Sequence, residues 1–251
     1  MKFDYPQPGQ IPQLRSLWKE AFGDTEEFLD IFFSTAFSPN RCRCATEDGQ
    51  VLAALYWFDV SCAGQKLAYI YAVATGKASR GRGLCRALMA DTAEILRSAG
   101  YLGALLVPQS EGLFAMYGKM GYLPAAGIRE TLCTASEALP LREISAEEYA
   151  ALRPALLPPG SVIQEGENLL FLEKIARFYK GDGFLASVSR EVEHLRILEY
   201  LGSSCGISPL IAALGHTEAT VRTPGSDKPF SMYLPLDDRC PRPAYFAFCF
   251  D

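Results

Sequence analysis

Residues 69–89, Y-I-Y-A-V-A-T-G-K-A-S-R-G-R-G-L-C-R-A-L-M, decide the fold. Their apolar start predicts a strand that ends at Thr75, and their end predicts a helix that begins at about Gly83. The loop between combines turn-forming glycines with arginines, and the helix N-terminus adds partial positive charge. This arrangement predicts a pyrophosphate cradle, the alternative being a solvated basic turn. A Walker loop and a dinucleotide fingerprint are excluded, because the former's Gly-Lys-Ser/Thr and the latter's third glycine and acidic residue are missing.

Upstream of this stretch, the apolar spacing predicts two helices and then an antiparallel meander of three strands. Downstream, it predicts a buried strand that ends before Pro108, a helix capped by Ser110, and a last pair of strands. The order ααβββαβαββ places helices at 11–22, 25–37, 83–99 and from 110, and strands at 41–46, 51–62, 66–75, 102–107 and around 127–134.

A run of small residues at 134–140 predicts a linker. Beyond it the predicted order is ααββαβββ. This order resembles that of the first half, with a shorter helix in place of the long one. The helices are predicted at 145–157, 169–179 and 207–214, and the strands at 183–190, 194–201, 217–223, 230–236 and 245–250.

The composition predicts a folded cytoplasmic protein. Hydrophobic residues make up 49% of the 251 residues, charged residues 21%, and the mean hydropathy is +0.05. The net charge of −5 argues against a nucleic-acid partner, and we expect no membrane segment or secretory leader. The eight cysteines contain no C-x-x-C pair, so we expect reduced, packed thiols and no metal site. Cys42 and Cys44 are predicted to share one strand face.

The loop resembles the signature of the GNAT acyl-CoA-dependent N-acyltransferases, Arg/Gln-x-x-Gly-x-Gly/Ala. Arg80 and Gly83 match it, and the small residue Cys85 occupies the third position. The resemblance implies that acetyl-CoA is the co-substrate and that backbone groups of the preceding strand contact its pantetheine arm, while the loop and the first helical turn bind its pyrophosphate. The implied cofactor-binding residues are Val73, Ala74, Thr75, Arg80, Gly81, Arg82, Gly83, Leu84, Cys85 and Arg86.

A second segment, Leu113 to Tyr122, resembles the family's A-x-x-x-Y-x-x-x-G-F pattern and supplies Tyr117. The resemblance implies that Tyr117 is the general acid that protonates the departing CoA thiolate. The alternative is a core tyrosine whose hydroxyl is bonded to the backbone.

The resemblance implies an α/β (α+β) architecture: the mixed central sheet of the acyl-CoA N-acyltransferase fold in residues 1–135, followed by a smaller degenerate domain of similar fold in 141–251. The second segment resembles the second domain of the enhanced intracellular survival proteins. After its strand at 194–201, the sequence S-S-C-G-I-S carries no cation, so we expect no CoA loop there.

The implied activity is transfer of an acetyl group to a primary amine by direct attack. The sequence leaves the general base open between Asp59, Glu111, the terminal carboxylate of Asp251 and water, and it leaves the oligomeric state open. The acceptor is a small-molecule or a peptide amine; a non-catalytic acyl-CoA sensor is the alternative function. A carboxylate cluster would suit a cationic amine, although such clusters are usually solvated helix faces: Glu20, Asp24, Glu26 and Glu27.

Overall fold

The computed structural model describes residues 1–190 and 194–247. Its first half follows the predicted order, with one additional short strand at the start. The elements are β1 (Lys2–Asp4), α1 (Ile11–Phe22), α2 (Glu26–Thr35), β2 (Cys42–Glu47), β3 (Gln50–Cys62), β4 (Gln65–Thr75), α3 (Leu84–Ser98), β5 (Gly103–Leu106), α4 (Glu111–Gly118), β6 (Leu123–Pro124) and β7 (Gly127–Thr134).

The second half is built from shorter elements. They are β8 (Arg142–Ile144), α5 (Ala146–Leu152), β9 (Val162–Gln164), α6 (Glu167–Ile175), β10 (Ala176–Gly181), β11 (Phe184–Ser189), β12 (Arg196–Gly202), α7 (Ile207–Ala213), β13 (Glu218–Pro224), β14 (Lys228–Pro229) and β15 (Met232–Pro235).

Local chemistry sets the ends of the helices that border the site. Gly23 ends α1 in the left-handed conformation, at φ 79°. Thr25 caps α2 by accepting a hydrogen bond from the Phe28 N–H, and Ser110 caps α4 by accepting one from the Leu113 N–H. The chain therefore turns within the three residues between α1 and α2, and four residues separate the end of β5 from the start of α4.

The strands form two mixed sheets, as the predicted fold class requires. One sheet has the order β1-β2-β3-β4-β5-β15-β6, with β9 paired to β3, and the other has the order β14-β7-β13-β12-β11-β10-β8. The predicted meander is confirmed, since β2, β3 and β4 pair antiparallel, and β5 then pairs parallel to β4. Each sheet takes strands from both halves of the chain: β15 lies between β5 and β6, and β7 pairs with β13. The division into 1–135 and 141–251 stays a prediction about chain segments.

Two cores cover the opposite faces of the first sheet. One lies under α1 and α2 and includes Trp18, Tyr69 and Tyr71. It also holds Phe171 and Phe246 from the second half, so both halves share one continuous apolar interior. The other core lies under α3 and α4. Cys42 and Cys44 are buried together in the first core, which confirms that they share a strand face.

A buried ion pair joins the two sheets. Arg153 lies with its Nε 2.6 Å from Oε2 of Glu199, a residue of β12 that is fully buried. The same guanidinium donates to the carbonyl of Val162 in β9, at 3.1 Å, and the Tyr149 hydroxyl donates to Glu199 at 2.7 Å. Because these polar groups hydrogen-bond to one another, the charges are tolerated in the interior. Removing one partner would leave the other as an unpaired buried charge.

Several predicted elements are wrong. The helix predicted at 169–179 ends at Ile175, and β10 follows, because that strand is paired on both sides, with β8 and β11. The strand pair predicted around 127–134 is the two-residue β6 and the single long β7. Of the terminal strand predicted at 245–250, Tyr245 makes one bridge to Ser161, and residues 248–250 lie outside the described part.

A helix that spans a bilayer needs about 20 predominantly apolar residues. Within residues 1–190 and 194–247, every helix falls short of what crossing a membrane requires.

Candidate active site

An opening in the first sheet lies between β4 and β5. The two parallel strands pair only from Leu67 to Tyr69 on β4 and from Gly103 to Leu105 on β5. Beyond Tyr69, β4 continues to Thr75 without this partner. The two strands therefore splay apart beyond Tyr69 and leave a gap in the sheet that a narrow ligand can enter.

A bulge in β4 lies beside the gap. In the pairing with β3, Ala54 faces Ala74 but Tyr56 faces Tyr71, so that Ala72 and Val73 together oppose one residue. Ala72 has φ 48°, in the left-handed region that alanine rarely adopts. A bulge leaves its extra residue outside the hydrogen-bond ladder and turns the strand. The backbone at Ala72 and Val73 is thus released from the regular pairing with β3, and both residues line the gap.

The loop after β4 presents backbone N–H groups to solvent. Gly81 and Gly83 have φ 78° and 76°, so both depend on the freedom of glycine, and Gly83 is the N-cap of α3 without any side-chain cap. The first N–H groups of a helix have no intrahelical partner, and they carry its partial positive charge. The start of α3 therefore has the properties of an anion site.

The three arginines of the loop are exposed and differ in their contacts. Arg80 donates from Nε to the Thr75 carbonyl at 3.2 Å, and Arg82 pairs with Glu47 at 2.9 Å. Arg86 has no ion-pair or hydrogen-bond partner among the residues that the structure describes. The contact of Arg80 fixes its side chain across the turn, while Arg86 remains available to an incoming anion.

A cavity of about 810 Å³ passes through the gap. Tyr69 and Tyr71 line it from the face that carries α1 and α2, and Ile70 and Tyr117 line it from the face that carries α3 and α4. Residues of both faces border one space, so a ligand on one side of the sheet can meet a ligand on the other.

Of the predicted site residues, Val73, Cys85 and Tyr117 line this cavity. Leu84 and Ala74 are buried in opposite cores, where only their backbones can serve a ligand. The exposed loop precedes Cys85 by a few residues and continues directly into the cavity wall; it comprises Arg80, Gly81, Arg82 and Gly83, with Arg86 exposed one residue after Cys85.

The wall around Tyr117 is apolar. Its ring packs edge to face against the ring of Tyr122, at 5.7 Å between centroids. Burial, with smaller effects of Tyr117 and Cys85, raises the pKa of Tyr122. Burial likewise raises the pKa of the Cys85 thiol, so this cysteine stays protonated at neutral pH and lacks the thiolate character of a nucleophile.

Among the described residues that line the cavity, Asp24 carries the only carboxylate. It accepts a hydrogen bond from Trp18 Nε1 at 2.7 Å, which fixes its orientation. The sequence signalled it only as part of the acidic cluster. In that cluster, Glu26 forms ion pairs with Arg15 and Lys19. Asp24 differs from the other members because it lines the cavity.

The candidate bases named from the sequence lie elsewhere. Asp59 accepts from the Tyr101 hydroxyl and pairs with Lys66 at 3.5 Å, and it does not line the cavity. Glu111 is exposed at the start of α4 and does not line it either. Asp251 lies outside the described residues.

Comparison with solved structures shows the same fold over nearly the whole chain. A GCN5-related N-acetyltransferase from Kribbella flavida is 16% identical, with a TM-score of 0.69 over 94% of this chain and 72% of that one. Eis1 from Mycobacterium abscessus is 12% identical, with a TM-score of 0.68 over 94% and 74%. A GCN5-related N-acetyltransferase from Anabaena variabilis is 17% identical, with a TM-score of 0.67 over 94% and 73%. At these identities the likeness concerns the fold alone.

Sequence comparison gives the family of the first half. No curated protein sequence matches the chain. Residues 2–125 match the family of the acetyltransferase (GNAT) domain. The matched range contains the arginine–glycine loop, the gap between β4 and β5, and Tyr117. Residues 2–125 are therefore a domain of the GNAT acetyltransferase family.

Proposed function

We propose that the protein transfers the acetyl group of acetyl-CoA to a primary amine by direct attack. The observation that carries the proposal is the cavity through the β4–β5 gap, which connects the start of α3 with the space under α1 and α2. A thioester arm that enters from the α3 side and an amine that enters from the other side would meet there without a covalent acyl-enzyme.

The arginine–glycine loop would hold the cofactor through its pyrophosphate. Charge-assisted hydrogen bonds from Arg80, Arg82 and Arg86 would add to those from the backbone N–H groups at the start of α3. The released backbone at Ala72 and Val73 would contact the pantetheine arm, and one N–H there would polarise the thioester carbonyl. The local positive charge also explains how a chain of net charge −5 can hold an anionic cofactor.

The bond changes define what the side chains must do. The amine nitrogen bonds to the acetyl carbon, the carbon–sulfur bond breaks, the nitrogen loses a proton, and the thiolate of CoA gains one. We assign the last step to Tyr117, because it lines the cavity and a phenol, with an ordinary pKa of about 10, is a suitable acid for a thiolate.

The amine reaches the cavity largely as an ammonium ion, which must lose a proton before it attacks. Asp24 is the candidate to bind this ion and to accept its proton, directly or through water, since it is the carboxylate of the described cavity wall. The terminal carboxylate of Asp251 stays a prediction.

The experiment measures release of the CoA thiol from acetyl-CoA across a panel of primary amines, in the wild type and in Tyr117→Phe. We expect kcat to fall about 10²-fold or more, with little change in acetyl-CoA affinity. Tyr101→Phe is the control, because it removes another buried tyrosine hydroxyl of the same core that lies away from the cavity. Acetyl-CoA binding without thiol release for any amine would reject the proposal in favour of a sensor.

A further inference from the structure

The acceptor side of the cavity has an aromatic wall. Five aromatic residues line the space under α1 and α2: Trp18, Phe22, Phe28, Tyr69 and Tyr71. The Trp18 ring centroid lies 5.8 Å from that of Phe22, 6.4 Å from that of Phe28 and 5.6 Å from that of Tyr71, and Tyr71 contacts Tyr69 at 6.0 Å. Phe22 and Phe28 are the accessible rings of this wall, whereas Trp18 and Tyr69 are only 2% and 1% exposed.

Phe22 is unusual within this wall. It is the last residue of α1 and is 47% exposed, although the rest of the apolar face of α1, Leu14, Leu17 and Trp18, is buried. Phe22 thus offers apolar ring surface at the edge of the cavity, and covering this surface with an apolar ligand body is favourable. Its position beside Trp18 and next to the turn at Gly23 makes it a candidate lid over the body of an acceptor.

Polar groups in the same half are few. Asp24 is its carboxylate, and the indole N–H of Trp18 is already donated to that carboxylate. The other polar side chains that line the cavity are Gln109, Tyr69, Tyr71 and Thr25, whose hydroxyl accepts a hydrogen bond from the Phe28 N–H at 3.2 Å. A substrate with many hydroxyl or ammonium groups would leave several of them without partners on entering, and each such group costs free energy.

We infer that the acceptor is a primary monoamine with an aromatic or similarly flat apolar body. Its ammonium group pairs with Asp24, and its body lies against Phe22 and Phe28. The inference rests on the proposed function, because the acceptor must approach the thioester from this side of the sheet. One carboxylate matches one cation, and the ring faces add cation–π attraction for the ammonium as well as apolar contact for the body.

The test compares matched amines. 2-Phenylethylamine and ethylamine differ only in the ring, while spermidine and glucosamine represent multiply charged and polyhydroxylated acceptors, and a ten-residue peptide with one lysine represents a peptide amine. We expect kcat/KM for 2-phenylethylamine to exceed that of each of the others at least about 10-fold, the scale on which apolar pockets discriminate. A higher kcat/KM for spermidine, glucosamine or the peptide would overturn the inference.

Variants test which residues cause the preference for the aromatic amine. Phe22→Ala should raise KM for 2-phenylethylamine about 10-fold and leave KM for ethylamine nearly unchanged. Leu170→Ala is its control, since Leu170 is another exposed apolar side chain, on α6, that does not line the cavity. Asp24→Asn should raise KM for both amines, whereas Glu27→Gln, an exposed neighbour on α2, should change neither. An equal response of both amines to Phe22→Ala would contradict the inference.

A binding measurement separates this inference from the proposed function. Dissociation constants of the same amines are measured by calorimetry with CoA present, so that no turnover is needed. Tighter binding of 2-phenylethylamine than of ethylamine, weakened by Phe22→Ala, supports the inference even if no amine is acetylated. The absence of such binding, or preferred binding of spermidine or glucosamine, overturns it even if some amine is turned over.

Discussion

The ring of Phe246 meets the ring of Tyr69 edge to face, with centroids 4.9 Å apart and planes inclined by 73°. Tyr69 lines the cavity, whereas Phe246 comes from the end of the second half and is fully buried. Its neighbours are anchored: the Val162 N–H donates to the Tyr245 carbonyl at 2.9 Å, and Arg222 donates to the Ala247 carbonyl at 3.2 Å. The second half thus supports one wall of the proposed acceptor site from behind.

The first prediction concerns this support. Phe246→Leu removes the ring and should lower the free energy of unfolding by about 1 to 3 kcal/mol, as core substitutions do. Because Tyr69 loses its partner, KM for the amine should rise more than KM for acetyl-CoA, measured by steady-state thiol release.

Phe178→Leu is the control for this change. Phe178 is buried against Tyr149, at 4.9 Å between ring centroids, in a core away from the cavity. The Phe178→Leu variant should lower the free energy of unfolding by a similar amount without changing KM for the amine. Equal kinetic effects of the two variants would show that Phe246 acts only through general stability.

The second prediction concerns pH. Burial raises the pKa of Glu130, but hydrogen bonds and ion pairs with Lys228 and Arg222 outweigh it, so the pKa in the folded protein is lowered. A carboxylate whose pKa is lower in the folded than in the unfolded state stabilises the fold above the unfolded value of about 4.3, and this contribution disappears as the pH falls through the folded pKa.

Urea unfolding of the wild type and Glu130→Gln checks this pH dependence. The variant should be less stable at pH 7, and the difference should shrink toward pH 3. Glu137→Gln, in an exposed loop, should show no difference at either pH. A difference for Glu130→Gln that is the same at pH 7 and pH 3 would speak against a role of its charge.

The third prediction concerns the arginine–glycine loop. Replacing Arg80 and Arg82 together by alanine should weaken acetyl-CoA binding at least about 10-fold, since each charge-assisted hydrogen bond contributes about 1.5 to 3 kcal/mol when it is formed. Titration calorimetry measures the dissociation constant of acetyl-CoA, and the difference between the wild type and the double variant should be smaller at high salt. Arg177→Ala, an exposed arginine of β10, is the control. Undiminished affinity in the double variant would reject the cradle.

The fourth prediction is a stoichiometry of one CoA per chain. The turn after β12 is filled by the protein itself: Tyr200 donates its hydroxyl to the Ser203 carbonyl at 2.5 Å, and Phe184 stacks on the Tyr200 ring at 5.1 Å. A side chain at Gly206 would clash with both rings, so there is little room for a phosphate. Calorimetric titration with CoA that gave two sites per chain would contradict this.

Local pattern was enough for the predicted meander and for the loop. The strands 51–62 and 66–75 differ from β3 and β4 by one residue at their starts, because both are long apolar runs bounded by glycine turns. The arginine–glycine loop was predicted from its residue types and spacing, whereas the role of Tyr117 was implied by the family resemblance and stays a prediction.

Pairing between distant segments left no such signal. β10 was missed because a short apolar run fits a helix and a strand equally well, and its neighbours β8 and β11 decided between them. The alternating tyrosines and alanines of β4 do not predict the bulge at Ala72, because the bulge arises from the register between β4 and β3.

The sequence by itself determined the strand–loop–helix of residues 69–89, because this depends on neighbours in the chain, and the resemblance of its motifs predicted the fold class and the residues proposed to hold an acyl-CoA. Tertiary structure decided the exchange of β7 and β15 between the sheets and the entry of Asp24 and Phe22 into one cavity with Tyr117. It also brought Phe246 behind Tyr69. These contacts join segments far apart in sequence, and their free energy comes from burial and pairing that no local pattern encodes.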